Sequence, residues 1–289
     1  MENVPVGIIP FGTGNDLCRA LSEYTGSNSN LILPSISNPD SFFSQFDRAR
    51  EVAIDLWKIH TEPLYSQSNF FHKKFDKSNE KIKDFASSKA RSLNANRLTK
   101  PKSKNIKKDK PIKNVNNYFG IGVDGHISLI FDNMRKMYPH LFFSEIINKF
   151  LYMLVGIYYI LRQKSSELSS CVELICDGKV VPIPKGTRGI VFLNINSYAG
   201  GSKLWKFSGM SKTDSGRWKP TQFNDRILEV VAVSGIGHLG QIKAGISLPV
   251  PIAQGSSFEI RCFKKLPMQI DGEPWIQKPC RMLVSCDNR

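Results

Sequence analysis

The chain has 289 residues, of which 41% are hydrophobic and 22% charged, a composition typical of a globular protein with a core of its own. Its net charge of +15 suggests an anionic partner. The six cysteines form no CxxC pair and no basic-then-apolar leader follows Met1, which argues against a disulfide framework or a zinc site and predicts a reducing, cytoplasmic compartment.

A glycine turn is the first feature that points to a ligand. We predict a buried strand over residues 6–9, ended by Pro10, and a short helix over residues 17–21. The glycines between them allow positive φ and close approach of a ligand, and the helix N-terminus favours an anion such as a phosphate. The candidate nucleotide-binding residues are Gly12, Thr13, Gly14, Asn15 and Asp16. The alternative is a turn that only joins two packed elements.

Residues 62–115 are predicted to be a basic, low-complexity insert between two strands of one sheet. Residues 72–113 contain 15 Lys and Arg against 4 Asp and Glu, a net of +11. So little apolar content cannot offset the chain entropy, and we predict disorder. The insert is either a tolerated loop or a polybasic tether for an anionic membrane surface. A nuclear-import or nucleic-acid patch is a further alternative, although we expect no nucleic-acid partner.

Order resumes at residues 116–127, where Phe119, Ile121 and Val123 alternate as a strand and Asp124 stands at its end. Asp124 is either a site residue or a cap on a helix predicted over residues 127–137.

The apolar stretch over residues 150–161 is shorter than the roughly 20 residues of a membrane span. It is interpreted as a buried helix, with an interfacial helix as the alternative.

The second half of the chain has many short alternating segments separated by Gly or Pro, which predicts a β-sandwich. The predicted strands include residues 171–177, 227–233, 242–246, 257–261 and 281–285. Asp271 and Glu273 flank a glycine turn, and a carboxylate within reach of a hydroxyl can accept its proton. Taken alone, such a turn is common. His238 has no second ligand at metal-binding spacing and is interpreted as structural.

Four stretches together resemble the eukaryotic diacylglycerol kinases: PFGTGNDLCRAL at 10–21, NNYFGIGVDGHI at 116–127, GIVFLNINSYAGG at 189–201 and LPMQIDGEPW at 266–275. The resemblance implies an α/β plus all-β chain, in which the remnant of a Rossmann-like nucleotide-binding domain precedes a β-sandwich domain. We therefore predict the end of the catalytic domain over residues 1–50. The accessory domain would occupy residues 51–289, interrupted by the insert.

The resemblance also implies an activity, namely transfer of the γ-phosphoryl of ATP, with Mg²⁺, to 1,2-diacylglycerol to give phosphatidic acid. Asp271 would be the general base, and Glu273 would orient Asp271 or hold Mg²⁺ through water. Such an enzyme would be cytoplasmic and peripherally membrane-associated. The family's first phosphate motif, GGDGT, should lie upstream of Pro5 and is missing. The alternatives are a catalytically dead lipid- or partner-binding module, or an enzyme acting on sphingoid bases or ceramide.

Overall fold

The structure is a computed structural model that describes residues 5–8, 14–24, 50–64, 112–139, 166–205 and 218–287. Several predictions lie outside these residues. They concern Gly12 and Thr13 of the glycine turn, the central part of the basic insert at 65–111, and the apolar segment at 150–161.

Two six-stranded antiparallel sheets form the body of the protein. The strands in chain order are β1 Trp57–Pro63, β2 Ile112–Val115, β3 Tyr118–Gly122, β4 Val172–Cys176, β5 Lys179–Val181, β6 Gly189–Leu193, β7 Leu228–Val233, β8 Val250–Gly255, β9 Ser257–Cys262, β10 Leu266–Ile270, β11 Glu273–Gln277 and β12 Cys280–Cys286. The first sheet has the order β2-β1-β12-β9-β4-β5, and the second has the order β11-β10-β3-β6-β7-β8. The prediction of a β-rich body is confirmed at this level: two antiparallel sheets with few helices.

The main core lies between the two sheets. Inward-facing residues of both sheets form one cluster of buried side chains. Phe192 of the second sheet stacks on Phe119 at 5.3 Å between ring centroids and contacts Phe258 of the first sheet edge-on at 5.4 Å. Strands β4 and β9 of the first sheet alternate between buried and partly exposed residues, because only one face meets the core.

The second sheet is covered on its other face as well, and strands β6 and β7 are therefore buried at every position. The cover includes α2 (Val123–Met137) and α3 (Ile236–Lys243), and a third helix, α1, spans Asp16–Tyr24. A Cβ on Gly125 would come within 2.5 Å of the Met268 backbone nitrogen, so glycine lets α2 approach β10 closely. None of the helices in the described part of the chain combines the length and hydropathy needed to cross a bilayer.

Two predicted strands are wrong. Residues 5–8 form no strand and Val6 is 86% exposed, which contradicts the buried strand predicted over residues 6–9. The strand predicted over residues 242–246 is also absent. Ile242 lies in the last turn of α3, where its side chain is buried, and the helix ends before Gly245, which has a φ of 74°. The segment is short and rich in glycine, so its local pattern does not separate helix from strand, and burial of Ile242 against the second sheet decides the outcome.

Three boundaries also differ from the predictions. The first helix is longer than residues 17–21, because it begins at Asp16 and ends at Tyr24. Helix α2 begins at Val123 and not at Ile127, which places Asp124 inside its first turn. Both ends of the predicted insert are strand, since β1 continues to Pro63 and β2 begins at Ile112 and pairs with it.

Candidate functional site

Asp16, the last residue of the glycine turn and the first of α1, connects the turn to the rest of the protein. Its side chain is only 7% exposed. The Oδ1 atom accepts hydrogen bonds from Ser197 Oγ at 2.7 Å, Gly200 N at 3.1 Å and Gly201 N at 3.0 Å. The phenol of Tyr118 donates to Oδ2 at 3.3 Å. This carboxylate therefore points into the protein and joins the glycine turn to residues 197–201, which we call the SYAGG segment.

The SYAGG segment is shaped to bind an anion. Ala199, Gly200 and Gly201 have φ values of 47°, 88° and 104°, a conformation in which successive N–H groups turn toward one point. Glycine meets this requirement at two of the three positions without strain. The anion that these N–H groups bind in the structure is the carboxylate of Asp16.

Helix α1 is held to the body at its two ends, through Asp16 and Glu23. At its start, Arg19 Nε donates to the Gly14 carbonyl at 3.2 Å, and Asn15 has a φ of 50°. At its end, Glu23 pairs with Lys203. A Cβ on Gly14 would come within 3.0 Å of Asp16 Oδ2, so the bare glycine leaves room for the carboxylate.

Asp124 forms a second buried polar centre on the first turn of α2. The residue is 2% exposed. Tyr198 donates its hydroxyl to Oδ1, and Gln269 Nε2 donates to Oδ2 at 2.6 Å. Burial raises the pKa of this carboxyl, and the two hydrogen bonds oppose that shift. Helix α2 begins after Gly122, with no side-chain cap. The interpretation of Asp124 as a helix cap is therefore wrong.

Asp271 lies at the tip of the hairpin between β10 and β11, half-buried and with a φ of 50°. Its Oδ1 atom accepts from Asn117 N at 2.8 Å and Tyr118 N at 3.0 Å. Its Oδ2 atom accepts from Asn116 N at 2.9 Å and Asn116 Nδ2 at 3.3 Å. Both oxygens thus hold the turn that precedes β3. The neighbouring Glu273 is exposed.

Tyr118 and Gln269 connect the three carboxylates. The backbone N–H of Tyr118 binds Asp271, while its hydroxyl binds Asp16. Gln269 binds Asp124 through Nε2 and accepts from Gly272 N through Oε1 at 2.8 Å. The glycine turn, the start of β3, the SYAGG segment and the DGE hairpin therefore form one continuous polar junction at one end of the second sheet.

We tested whether these residues fit ATP and Mg²⁺. Among the described residues, no group of three His, Cys, Asp or Glu side chains is arranged to hold a metal ion. The N–H groups of Gly200 and Gly201 are occupied by Asp16. The described residues therefore do not form a complete site for Mg²⁺ or a triphosphate.

The sequence missed the residues that surround Asp16 and Asp124. Ser197, Tyr198 and Gln269 supply the donors, yet none was singled out. A signal was present, because each lies within a motif already recognised.

Asn196, which replaces a proline of the family pattern, also has a partner: its side chain exchanges two hydrogen bonds with the backbone of Trp205, at 2.8 and 3.1 Å.

Comparison with known sequences finds similarity to diacylglycerol kinases. Over 280 residues the chain is 30% identical to diacylglycerol kinase 1 of Arabidopsis thaliana, covering 97% of this chain and 32% of that protein. It is 32% identical over 284 residues to diacylglycerol kinase theta of Rattus norvegicus, covering 97% of this chain and 25% of that protein. The chain thus spans a third or less of the length of these relatives.

A solved structure of a diacylglycerol kinase from Bacillus anthracis aligns with 96% of this chain and 62% of its own, at 12% identity and a TM-score of 0.41. That likeness is too weak to support an argument.

The family is identified by sequence: residues 114–274 match the family described as the diacylglycerol kinase accessory domain. They include β3, the SYAGG segment and the hairpin that carries Asp271. The chain therefore belongs to the diacylglycerol kinase accessory domain family.

Proposed function

We propose that this chain is part of a diacylglycerol kinase, which transfers the γ-phosphoryl of ATP to the free hydroxyl of 1,2-diacylglycerol and forms phosphatidic acid. The supporting observation is the bond between Asp16 and the SYAGG segment. It joins the glycine turn, which resembles a kinase nucleotide motif, to the accessory domain. Residues 1–50 would complete a Rossmann-like catalytic domain, and the two sheets would be its β-sandwich partner.

Within this proposal, Asp271 accepts the proton of the lipid hydroxyl. Its carboxylate is half-buried at a hairpin tip, whereas Asp16 and Asp124 are almost completely buried. Its four hydrogen bonds fix the carboxylate in place, and a general base must be positioned within hydrogen-bond reach of the proton it takes. ATP supplies the phosphoryl group when bound, and phosphoryl transfer requires cations to neutralise the transferred group.

We further propose that Asp16 positions the glycine turn. Because Asp16 is bound by the SYAGG segment, it is not available to the nucleotide. The residues that would contact the nucleotide are Gly12, Thr13, Gly14 and Asn15. Glu273, exposed beside Asp271, is the candidate for orienting that residue or holding Mg²⁺ through water.

The test is a phosphoryl-transfer assay on the full-length protein, with labelled ATP and mixed micelles of detergent and 1,2-diacylglycerol. We expect labelled phosphatidic acid as the product. Sphingosine and ceramide in matched micelles are the control acceptors, and we expect no labelled product from either. Absence of transfer to diacylglycerol in folded protein contradicts the proposal.

We also propose that residues 72–113 bring the enzyme to an anionic membrane surface, because their net charge of +11 favours such a surface. Deleting residues 72–111, which leaves β2 intact, should weaken co-sedimentation with phosphatidylserine vesicles, most strongly at low salt, since exposed charges are screened within about 8 Å at physiological ionic strength. Turnover on detergent-dispersed diacylglycerol should remain unchanged. Equal sedimentation with and without the segment, at every salt concentration, makes it a tolerated loop.

A further inference from the structure

A small cavity lies on the second sheet at the end of β3 opposite the polar junction. Its volume is about 150 Å³. The lining residues are Gly122, His126, Ser166, Leu168, Arg188, Lys265, Leu266, Pro267 and Ile276. The strand β3 separates Tyr118, in the junction, from Gly122, in the cavity wall, by roughly 13 Å at the usual rise of a strand. The cavity is therefore a separate site.

The cavity wall is positively charged. Arg188 and Lys265 both contribute to the lining, and no lining residue is acidic. Burial lowers the pKa of His126, so the positive charge of the wall comes from Arg188 and Lys265. Within the described ranges, neither of these two side chains forms an ion pair; the acid whose field reaches Arg188 is Glu167, which is itself fully exposed.

The backbone around the cavity is fixed. Arg188 donates its N–H to the Val233 carbonyl at 2.9 Å, and its own carbonyl accepts from Val123 N at 2.9 Å. A Cβ on Gly122 would lie 2.3 Å from the Arg188 carbonyl oxygen, so the glycine is needed for this close approach. Leu168, at the cavity floor, is completely buried. The backbone of the cavity wall is thus fixed, with Arg188 half-buried and Lys265 exposed at the rim.

Its size and charge limit the ligand. The volume is well below the roughly 300–1,000 Å³ of pockets for drug-sized molecules, so a nucleotide does not fit, whereas a small headgroup does. Two cations match a phosphate monoester, which carries about −1.5 to −2 charges at pH 7, better than they match a single carboxylate. The planar guanidinium of Arg188 suits bidentate contact with phosphate oxygens.

The mouth of the cavity is partly apolar. Ile276 lies on β11, the edge strand of its sheet, and is 54% exposed. Phe263 and Lys264, which immediately precede Lys265, are exposed as well. Exposed apolar side chains among lysines are typical of proteins that contact a lipid surface.

We propose that the cavity bounded by Arg188, Lys265 and His126 binds a phosphate monoester. The group is either the headgroup of a membrane lipid or a soluble phosphate ester. This site is separate from the proposed kinase centre, and its occupancy does not depend on phosphoryl transfer.

The test measures binding directly, without an activity readout. The probes are glycerol 3-phosphate, by calorimetry, and phosphatidylcholine vesicles with and without phosphatidic acid, by co-sedimentation. The pocket variant is Arg188→Gln with Lys265→Gln. The matched control is Lys185→Gln with Lys264→Gln, which removes the same charge from neighbouring exposed positions outside the cavity. Because Arg188 binds its neighbours through the backbone, the melting temperature should be unchanged in both variants.

We expect the pocket variant to bind the probes at least about tenfold more weakly, as for loss of charge-assisted hydrogen bonds, and the control to stay within about twofold. Binding of glycerol 3-phosphate alone supports the site and identifies a soluble source. Binding of phosphatidic acid vesicles, with competition by glycerol 3-phosphate, supports the site and identifies a lipid source. Equal weakening in both variants, or no binding of either probe by the folded wild-type chain, overturns the proposal.

Discussion

Asp16 and Asp271 are both aspartates at turns, and both bind backbone N–H groups of a segment far away in the sequence. They do so differently. Asp16 is buried, and its Oδ1 atom accepts from Ser197, Gly200 and Gly201, while Gly200 N also lies 3.2 Å from Oδ2. Asp271 is half-buried, and each of its oxygens accepts from at least one backbone N–H. The same substitution, Asp to Asn, should therefore have different consequences at the two positions.

The largest effect is expected from Asp271→Asn. An asparagine has one acceptor oxygen, so whichever way the amide is oriented, its NH₂ faces a backbone N–H of residues 116–118. Loss of the proposed base should lower kcat at least about 100-fold. An unpaired N–H should also cost about 1–2 kcal/mol of unfolding free energy. Turnover and melting temperature are measured on the same preparations.

The control for the melting temperature is Glu273→Gln, because Glu273 is exposed and lies in the same hairpin. It should leave the melting temperature unchanged. Near-normal turnover of Asp271→Asn removes this residue from the mechanism. An unchanged melting temperature contradicts its role in holding the turn before β3.

At Asp16 the comparison is between Ala and Asn. Asp16→Ala removes the acceptor for Ser197 Oγ and two backbone N–H groups, and should cost about 2–3 kcal/mol of unfolding free energy. Asp16→Asn can keep its oxygen at the Oδ1 position and turn its NH₂ to Tyr118 Oη, which is able to accept. Its cost should be below about 1 kcal/mol. Chemical denaturation of both variants measures the difference, and equal losses contradict the assignment of donors to Oδ1.

The smallest expected effect is a pH-dependent change in stability that arises from Glu229, a buried carboxyl that accepts few hydrogen bonds. Glu229 is completely buried, its Oε1 accepts from Gln254 Nε2 at 2.9 Å, and its Oε2 has no hydrogen-bond partner among the described residues. Burial raises the pKa of Glu229 from 4.5 to about 8. A raised folded-state pKa gives stability that is complete below about pH 4.5 and is lost as the pH rises toward 8.

Glu229→Gln keeps the acceptor for Gln254 and does not titrate. Relative to the wild type, its unfolding free energy should therefore increase by about 1 kcal/mol between pH 5 and pH 6, since each pH unit between the two pKa values is worth about 1.4 kcal/mol. Melting curves of both proteins at the two pH values measure this change. A difference that is constant with pH shows that Glu229 is not held neutral in the folded protein.

The sequence was most informative where a pattern is local. Alternation predicted β4, β7, β9 and β12 to within one residue at each end, because one or both faces of each strand meet the core. The motifs located the segments that meet at the junction. Local patterns failed at α3, whose eight residues include two glycines besides buried Ile242.

The direction in which Asp16 points could not be predicted from the sequence. A helix N-terminus after a glycine turn normally offers its N–H groups to a ligand. Here the helix supplies a carboxylate to the N–H groups of another turn, and that partner lies 181 residues away at Ser197. No local pattern encodes such a separation. Asp271 was singled out correctly as a turn residue, but its three backbone donors come from residues more than 150 positions earlier.

The bond between Asp16 and Ser197 also has a consequence for synthesis of the protein. The ribosome adds about 5–20 residues per second, so the 181 residues between these partners take roughly 10 to 40 seconds to appear. During that time α1 has no SYAGG segment on which to dock. Nor can β1 form its ladder with β12, which begins only at Cys280. Helix α1 must therefore stay undocked until the SYAGG segment has been synthesised.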